Sequence, residues 1–219
     1  MDIGKAFSFV FDDENWIVKV LIGGVLSLIP IVGQLLVSGY GLEVMKNAIQ
    51  GQSTPLPEWD DWGGKLVKGI MAFIIGFVYA LPIVILGGCF GLLMAAVGAT
   101  GSEDAANIVG SLGGICFGGL AFLYSIPMAL ALPSALGRYL ETGDLGAAFR
   151  FGEVFALVRD NVGIWIIVLV LAWLANLIGS LGIILCVVGV FFTTFWATLV
   201  AMYLWGDAYR QASASSLAV

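Results

Sequence analysis

The chain has 219 residues, 60% of them hydrophobic and only 11% charged, with a net charge of −6 at neutral pH and a mean hydropathy of +1.04. Soluble domains run near about 45–50% apolar and about 25% charged, so a water-soluble fold of this size could not hide so much apolar side chain, and the excess must face lipid. Nine scattered basic residues in an acidic chain exclude nucleic acid as a partner, and the absence of histidine removes the commonest zinc and haem ligand and the commonest general base.

The segment from Met1 to Glu14 is charged and amphipathic and lacks the small-residue cleavage pattern of a secretory signal. The apolar run that begins at Trp16 is therefore expected to act as an uncleaved insertion signal. Ahead of it, Ile3, Ala6, Phe7, Val10 and Phe11 fall on one helical stripe. That spacing predicts a helix lying in the headgroup plane, anchored by Phe7 and Phe11.

The first apolar stretch, Ile17–Val37, has two readings. As one helix, 17–38 crosses the bilayer once. With a turn at Pro30-Ile31-Val32-Gly33 it becomes a hairpin of helices 17–29 and 33–50, the first of them short for a full span. A second interfacial segment follows, in which Trp59, Trp62, Gly63 and Leu66 form a weaker stripe and Trp59 and Trp62 are the expected anchors.

The stretches Leu66–Ala99 and Ile108–Leu136 read as single helices of about 50 and 44 Å at 1.5 Å per residue. Both exceed the roughly 30 Å hydrocarbon core, so each must tilt, kink or emerge from it. Each carries a Tyr-x-x-Pro unit, Tyr79 with Pro82 and Tyr124 with Pro127. Proline frees the carbonyl four residues earlier, here Val78 and Leu123, which a neighbouring hydroxyl or water must satisfy. These four residues mark a kink and are the candidate lining of a cavity. Gly87 and Gly91 in the first of these helices, and Gly110, Gly114 and Gly118 in the second, recur at helix-contact spacing. Such faces permit close backbone approach, within one chain or between subunits.

The octet Asp144-Leu145-Gly146-Ala147-Ala148-Phe149-Arg150-Phe151 repeats Asp2-Ile3-Gly4-Lys5-Ala6-Phe7-Ser8-Phe9 as D-[IL]-G-x-A-F-x-F. It opens a third interfacial segment with Ala148, Phe151, Gly152, Phe155 and Ala156 on one stripe and Phe151 and Phe155 as anchors. The stretch Val162–Trp205 is too long for one pass, and Gly179-Ser180-Leu181-Gly182 offers a turn between helices near 162–178 and 183–209. In the hairpin reading, the turns at 30–33, 100–107 and 179–182 carry Glu103 and Asp104 but no Lys or Arg. All nine basic residues then lie on or near the other side. The positive-inside rule thus favours six helices with both termini cytoplasmic.

Charge within the apolar stretches is sparse. Lys19, one turn into the first helix, is expected to snorkel, and Glu43 with Lys46 reads as an ion pair three residues apart. The cysteines Cys89, Cys116 and Cys186 form no CxxC pair and read as small apolar packing residues. No carboxylate pair, nucleophile–base set or phosphate-binding glycine loop is present. Neither catalysis, a cofactor nor a metal ion is therefore expected.

Two motifs carry a resemblance over nearly the whole chain. They are Pro57-Glu58-Trp59-Asp60-Asp61-Trp62-Gly63, followed by Lys65-Leu66-Val67-Lys68-Gly69 and Tyr79-Ala80-Leu81-Pro82, and the run from Tyr139 through Gly152-Glu153 to Leu157-Val158-Arg159-Asp160-Asn161. They resemble the prokaryotic membrane-protein family numbered 4013 among domains of unknown function. The resemblance implies a bacterial or archaeal cytoplasmic-membrane protein. It supplies no activity, cofactor or catalytic residue.

The expected fold is all-α: one polytopic transmembrane domain over 1–219, with about six helices as three hairpins, each preceded by an amphipathic interfacial segment. Its pseudo-repeats would span 1–50, 51–138 and 139–219. The leading expectation for function is a non-enzymatic scaffold in the lipid bilayer that self-associates as a homo-oligomer, with room for an unidentified membrane partner. Its rival is a channel or transporter for a lipid or small apolar solute.

Overall fold

The computed structural model of the chain describes residues 3–216, with side chains throughout that range except at 184–188 and 216. Asp2, which opens the first copy of the repeat, and the side chain of Cys186 lie outside the described residues. The elements in chain order are α1 (Ile3–Ser8), α2 (Trp16–Ser27), α3 (Val32–Ile49), α4 (Trp62–Ala99), α5 (Glu103–Thr142), α6 (Leu145–Ala148), α7 (Phe151–Asp160), α8 (Val162–Ser180), a 3₁₀ segment (Leu181–Leu185) and α9 (Cys186–Ser216).

Four segments are long and apolar enough to cross a membrane: Trp62–Ala99, Glu103–Thr142, Val162–Ile183 and Gly189–Ser215. In the first three the large apolar side chains stay largely uncovered by protein, as at Phe73, Leu92, Ile115, Phe122 and Trp173, whereas the fourth buries Phe195, Leu199, Val200 and Leu204. A row of uncovered aliphatic and aromatic groups over helices of this length is stable only in hydrocarbon. The chain is an all-helical membrane protein with four long apolar helices.

Two compact units make up the chain, residues 1–75 with 130–219 and residues 76–129. In the first, α9 is the central element, packed by α8, α3 and α2 along its length and by α1 and α7 more briefly. Tyr40, Val44, Phe195, Leu199, Tyr203, Leu204 and Tyr209 are buried in this core, joined by Phe9 and Trp165. The break between α2 and α3 is sharp. Ile31 sits at φ 63°, ψ −76°, and the Val32 amide donates to the Pro30 carbonyl at 2.8 Å. These are the marks of the rare γ-turn, strained for a β-branched residue.

Further along, α3 and the start of α4 cross at backbone contact. A Cβ on Gly39 would fall inside the Lys65 carbonyl, and one on Gly69 inside the Leu35 carbonyl. The contact is reciprocal: each helix presents a glycine to the carbonyl of a residue one turn from the other helix's glycine. Only residues without side chains permit this approach.

Residues 76–129 form a unit of their own, made by the facing parts of α4 and α5 around the turn at Thr100-Gly101, where Gly101 takes φ +73°. The Phe90 and Phe117 rings stack at 5.7 Å and 7°. Each also fills the space beside a glycine of the opposite helix, Phe90 at Gly113 and Phe117 at Gly87.

The amphipathic segments depart from their expected form. Helix α1 ends at Ser8, so the helical stripe is broken. Ala6, Phe9 and Val10 are buried, while Ile3 and Phe11 are exposed. Phe9 stacks on Tyr203 at 4.7 Å. Of the weaker stripe, Trp62, Gly63 and Leu66 lie in the first turns of α4, while Trp59 belongs to residues 51–61, which hold no helix. The last segment is split into α6 and α7. Asp144 caps α6 by accepting from the Gly146 amide at 2.9 Å.

Candidate functional site

Among the described residues, a dense polar cluster lies where the strap of residues 51–61 folds back on α2, α3 and the start of α4. Pro55 and Leu56 are buried, which pins the strap to the helices. Asn47 Nδ2 donates to the Pro55 carbonyl at 3.0 Å, Tyr40 Oη to the Pro57 carbonyl at 2.8 Å, and Trp59 Nε1 to the Lys19 carbonyl at 3.1 Å. The Tyr40 and Trp59 rings stack at 4.2 Å, and Trp62 stacks on Trp59 at 5.4 Å.

Two buried lysines sit under this strap. Lys19, 3% exposed, lies 2.7 Å from Asp13 and 2.6 Å from Glu58. Lys65, 1% exposed, lies 2.9 Å from Glu43 and 3.6 Å from Asp60, with its Nζ 5.9 Å from the Tyr40 ring centre. Lys68 reaches the second oxygen of Glu43 at 2.5 Å. A buried ammonium persists only where carboxylates compensate it, and both of these are compensated. The Asp61 amide, donating to Asp60 Oδ1 at 2.8 Å, holds the Asp60 carboxyl below its ordinary range, and Lys65 adds to that effect. Beside the strap opens a cavity of about 390 Å³ lined by Asn15, Val18, Lys19, Ile22, Glu58, Trp59 and Asp60.

This arrangement corrects two readings of the sequence. Lys19 does not snorkel outward but is buried between two carboxylates. Glu43 turns to Lys65 and Lys68 rather than to Lys46, which is exposed. Periodicity along α3 shows neighbours three or four residues apart and is blind to cations on another helix.

The other singled-out residues divide between the two units. Within 76–129, Tyr79 is buried, and its carbonyl accepts from the Tyr124 hydroxyl at 2.5 Å. That carbonyl is one residue beyond the one Pro82 frees, and helix α4 runs unbroken through Pro82. Pro82 and Pro127 are themselves exposed. Gly87 faces Phe117, and Gly110 faces Met94, where a Cβ would sit 3.3 Å from Cε. Gly91, Gly114 and Gly118 have nothing within 4 Å of where a Cβ would stand. Cys89 and Cys116, expected to pack, are exposed free thiols on these helices.

In the larger unit, Phe7 is half-buried and packs 6.1 Å from Trp196. Phe11 is exposed, edge-on to Trp16 at 4.9 Å. On α7, Val154 and Val158 turn into the core while Phe151 and Phe155 point outward as a separate stripe. Trp59 and Trp62 belong to the aromatic stack of the strap, with Trp62 more exposed.

Searches of curated proteins and of solved structures gave no match. Residues 22–188 match the family described as "Protein of unknown function (DUF4013)". The matched span contains both of the motifs that carried the resemblance and most of the chain. The chain therefore belongs to the DUF4013 family, whose description assigns no activity to the strap or to any other part of it.

Proposed function

We propose that the protein is a non-enzymatic membrane scaffold that self-associates through the open glycine face of α5. The observation that supports this is a contrast within residues 76–129. Gly87, Gly110 and Gly113 are occupied by Phe117, Met94 and Phe90 of the chain itself, whereas Gly91, Gly114 and Gly118 are left open. Gly114 and Gly118 lie one turn apart on one face. In lipid, where apolar surface gives no hydrophobic drive, small-residue faces of this kind gain most from close packing against another helix.

In this reading the chain makes six membrane helices as three hairpins, α2–α3, α4–α5 and α8–α9, in a prokaryotic cytoplasmic membrane with both termini cytoplasmic. Support comes from the lack of Lys and Arg at the three turns and their presence near the other ends. With 12 residues, about 18 Å long, α2 enters the bilayer only in part. The cytoplasmic rim is formed by Phe7, Phe11, Trp59, Trp62, Phe151 and Phe155, the exposed rings of α7 resting in the interface.

The rival reading, a path for lipid or a small apolar solute along the two Tyr-x-x-Pro helices, is less well supported. The Tyr124 hydroxyl is engaged by Tyr79, and the stacked Phe90 and Phe117 rings occupy the space between the helices. The test is a Gly114→Ile, Gly118→Ile double variant weighed by native mass spectrometry from lipid nanodiscs. The scaffold reading expects the assembly to fall to single chains with helix content unchanged. A particle mass equal to that of the parent protein would overturn it.

A further inference from the structure

We propose that the cavity beside the strap binds an organic ammonium ion carried on an apolar chain. Its volume, about 390 Å³, falls within the usual roughly 300–1,000 Å³ of small-molecule sites. The lining has two distinct parts. Val18 and Ile22, one turn apart on α2, give an apolar lane, and Glu58, Trp59 and Asp60 with Asn15 and the paired Lys19 give the polar end.

Charge at the polar end is sorted by depth. The cations lie beneath, Lys19 at 3% exposure and Lys65 at 1%, while the carboxylates that cover them face outward, Glu58 at 63% and Asp60 at 79%. Lys19 also lines the cavity, but it is 3% exposed and already paired with Asp13 and Glu58, so the charged end of a ligand meets the outward carboxylates first. Among the described residues, the ion pairs and the Asp61 amide engage Glu58 Oε1 and Asp60 Oδ1. An ionised carboxylate has about four lone-pair sites, so each keeps acceptor capacity for another donor.

An anion would be repelled here, and a neutral alcohol would gain nothing from the carboxylates. A primary ammonium can donate to both acids, with its chain laid along Val18 and Ile22. Two sources share this chemistry, a free alkylamine and the aminoalkyl headgroup of a membrane lipid.

The experiment titrates hexylammonium into the full-length protein in neutral maltoside micelles by calorimetry, with hexanol and hexanoate as controls. Saturable binding of the cation alone is expected. Asp60→Asn should weaken it roughly threefold, the scale of one exposed ion pair, and Glu58→Gln with Asp60→Asn should abolish it. Val18→Trp, an exposed position whose new ring fills the cavity, should also abolish it with thermal stability retained. Phosphatidylethanolamine added to the micelles should compete if the occupant is a lipid headgroup. Its failure to compete, with hexylammonium still bound, assigns the site to a free amine. Three results overturn the proposal: no saturable hexylammonium binding, equal binding of hexanol, or affinity unchanged in the double acid variant.

Discussion

Lys65 and Glu43 meet at 2.9 Å under the strap, the lysine almost wholly buried and the carboxylate nearly so. Lys65 lies in the first turn of α4 while Glu43 lies near the end of α3, so the pair ties the two helices together one turn beyond the crossing at Gly39. The same carboxylate also holds Lys68, so one acid compensates two cations.

Glu43→Gln should therefore be among the most damaging single changes in the chain. Removing one partner of a buried pair leaves the other as an uncompensated charge, a cost on the order of 3 kcal/mol. Asp60, 3.6 Å away and exposed, can replace only part of it. Unfolding by SDS titration from maltoside micelles would read the loss, and Lys46→Gln should differ from the parent by less than about 0.5 kcal/mol.

Glycine to alanine should act with opposite signs at two kinds of site. At Gly39 or Gly69 the new methyl would meet a backbone carbonyl that cannot rotate away, which costs about 1–3 kcal/mol as overpacking. Gly88 has open space around it, and there alanine should stabilise the helix by up to about 1 kcal/mol. Thermal melts followed by helical circular dichroism would separate the two signs.

Tyr124→Phe removes the hydroxyl that the Tyr79 carbonyl accepts. Hydrogen bonds between membrane helices average about 0.6 kcal/mol with a ceiling near about 1.7. Loss within that range is expected. The Tyr79 side chain does not donate in this bond, so Tyr79→Phe should leave it in place. Amide hydrogen exchange around residues 79–83 should rise in the first variant through that contact alone.

Ile31→Gly should stabilise the protein. A side chain at φ 63° in a γ-turn carries strain of about 1–3 kcal/mol, and glycine adopts that geometry freely. Part of the gain is offset by the greater freedom of the unfolded chain. A raised midpoint in the same SDS titration is the expected result, with Ile31→Val showing no such rise.

The long helices were legible because each is an apolar run bounded by Gly, Pro or charge. The stretch 66–99 lies within α4, 108–136 within α5, and the turn expected at Pro30–Gly33 falls at the γ-turn on Ile31. Local periodicity served less well where the helix itself stops. The stripe through Phe7 and Phe11 assumed a helix continuing past Ser8, and the chain instead turns there and sends Phe9 inside. The strap was harder still. Nothing in the spacing of Trp59 says that its indole will meet the carbonyl of Lys19, and nothing about Glu43 names Lys65. The glycines at 39 and 69 show the same limit. In sequence they look no different from Gly91 or Gly114, and only the crossing of α3 with α4 distinguishes them.

The partners of Glu43 also fix an order in time. Synthesis makes the α2–α3 hairpin first, and at that stage the carboxylate at its end has neither of the cations that later hold it. Lys68 is 25 residues further along the chain. In the six-helix arrangement proposed above, a bare carboxylate is costly within lipid, so the end of α3 would stay at the water boundary until the start of α4 has followed it. In that arrangement the first hairpin and the entry of the next helix would mature as one unit of membrane insertion, closed by the strap when Trp59 and Glu58 fold back onto Lys19.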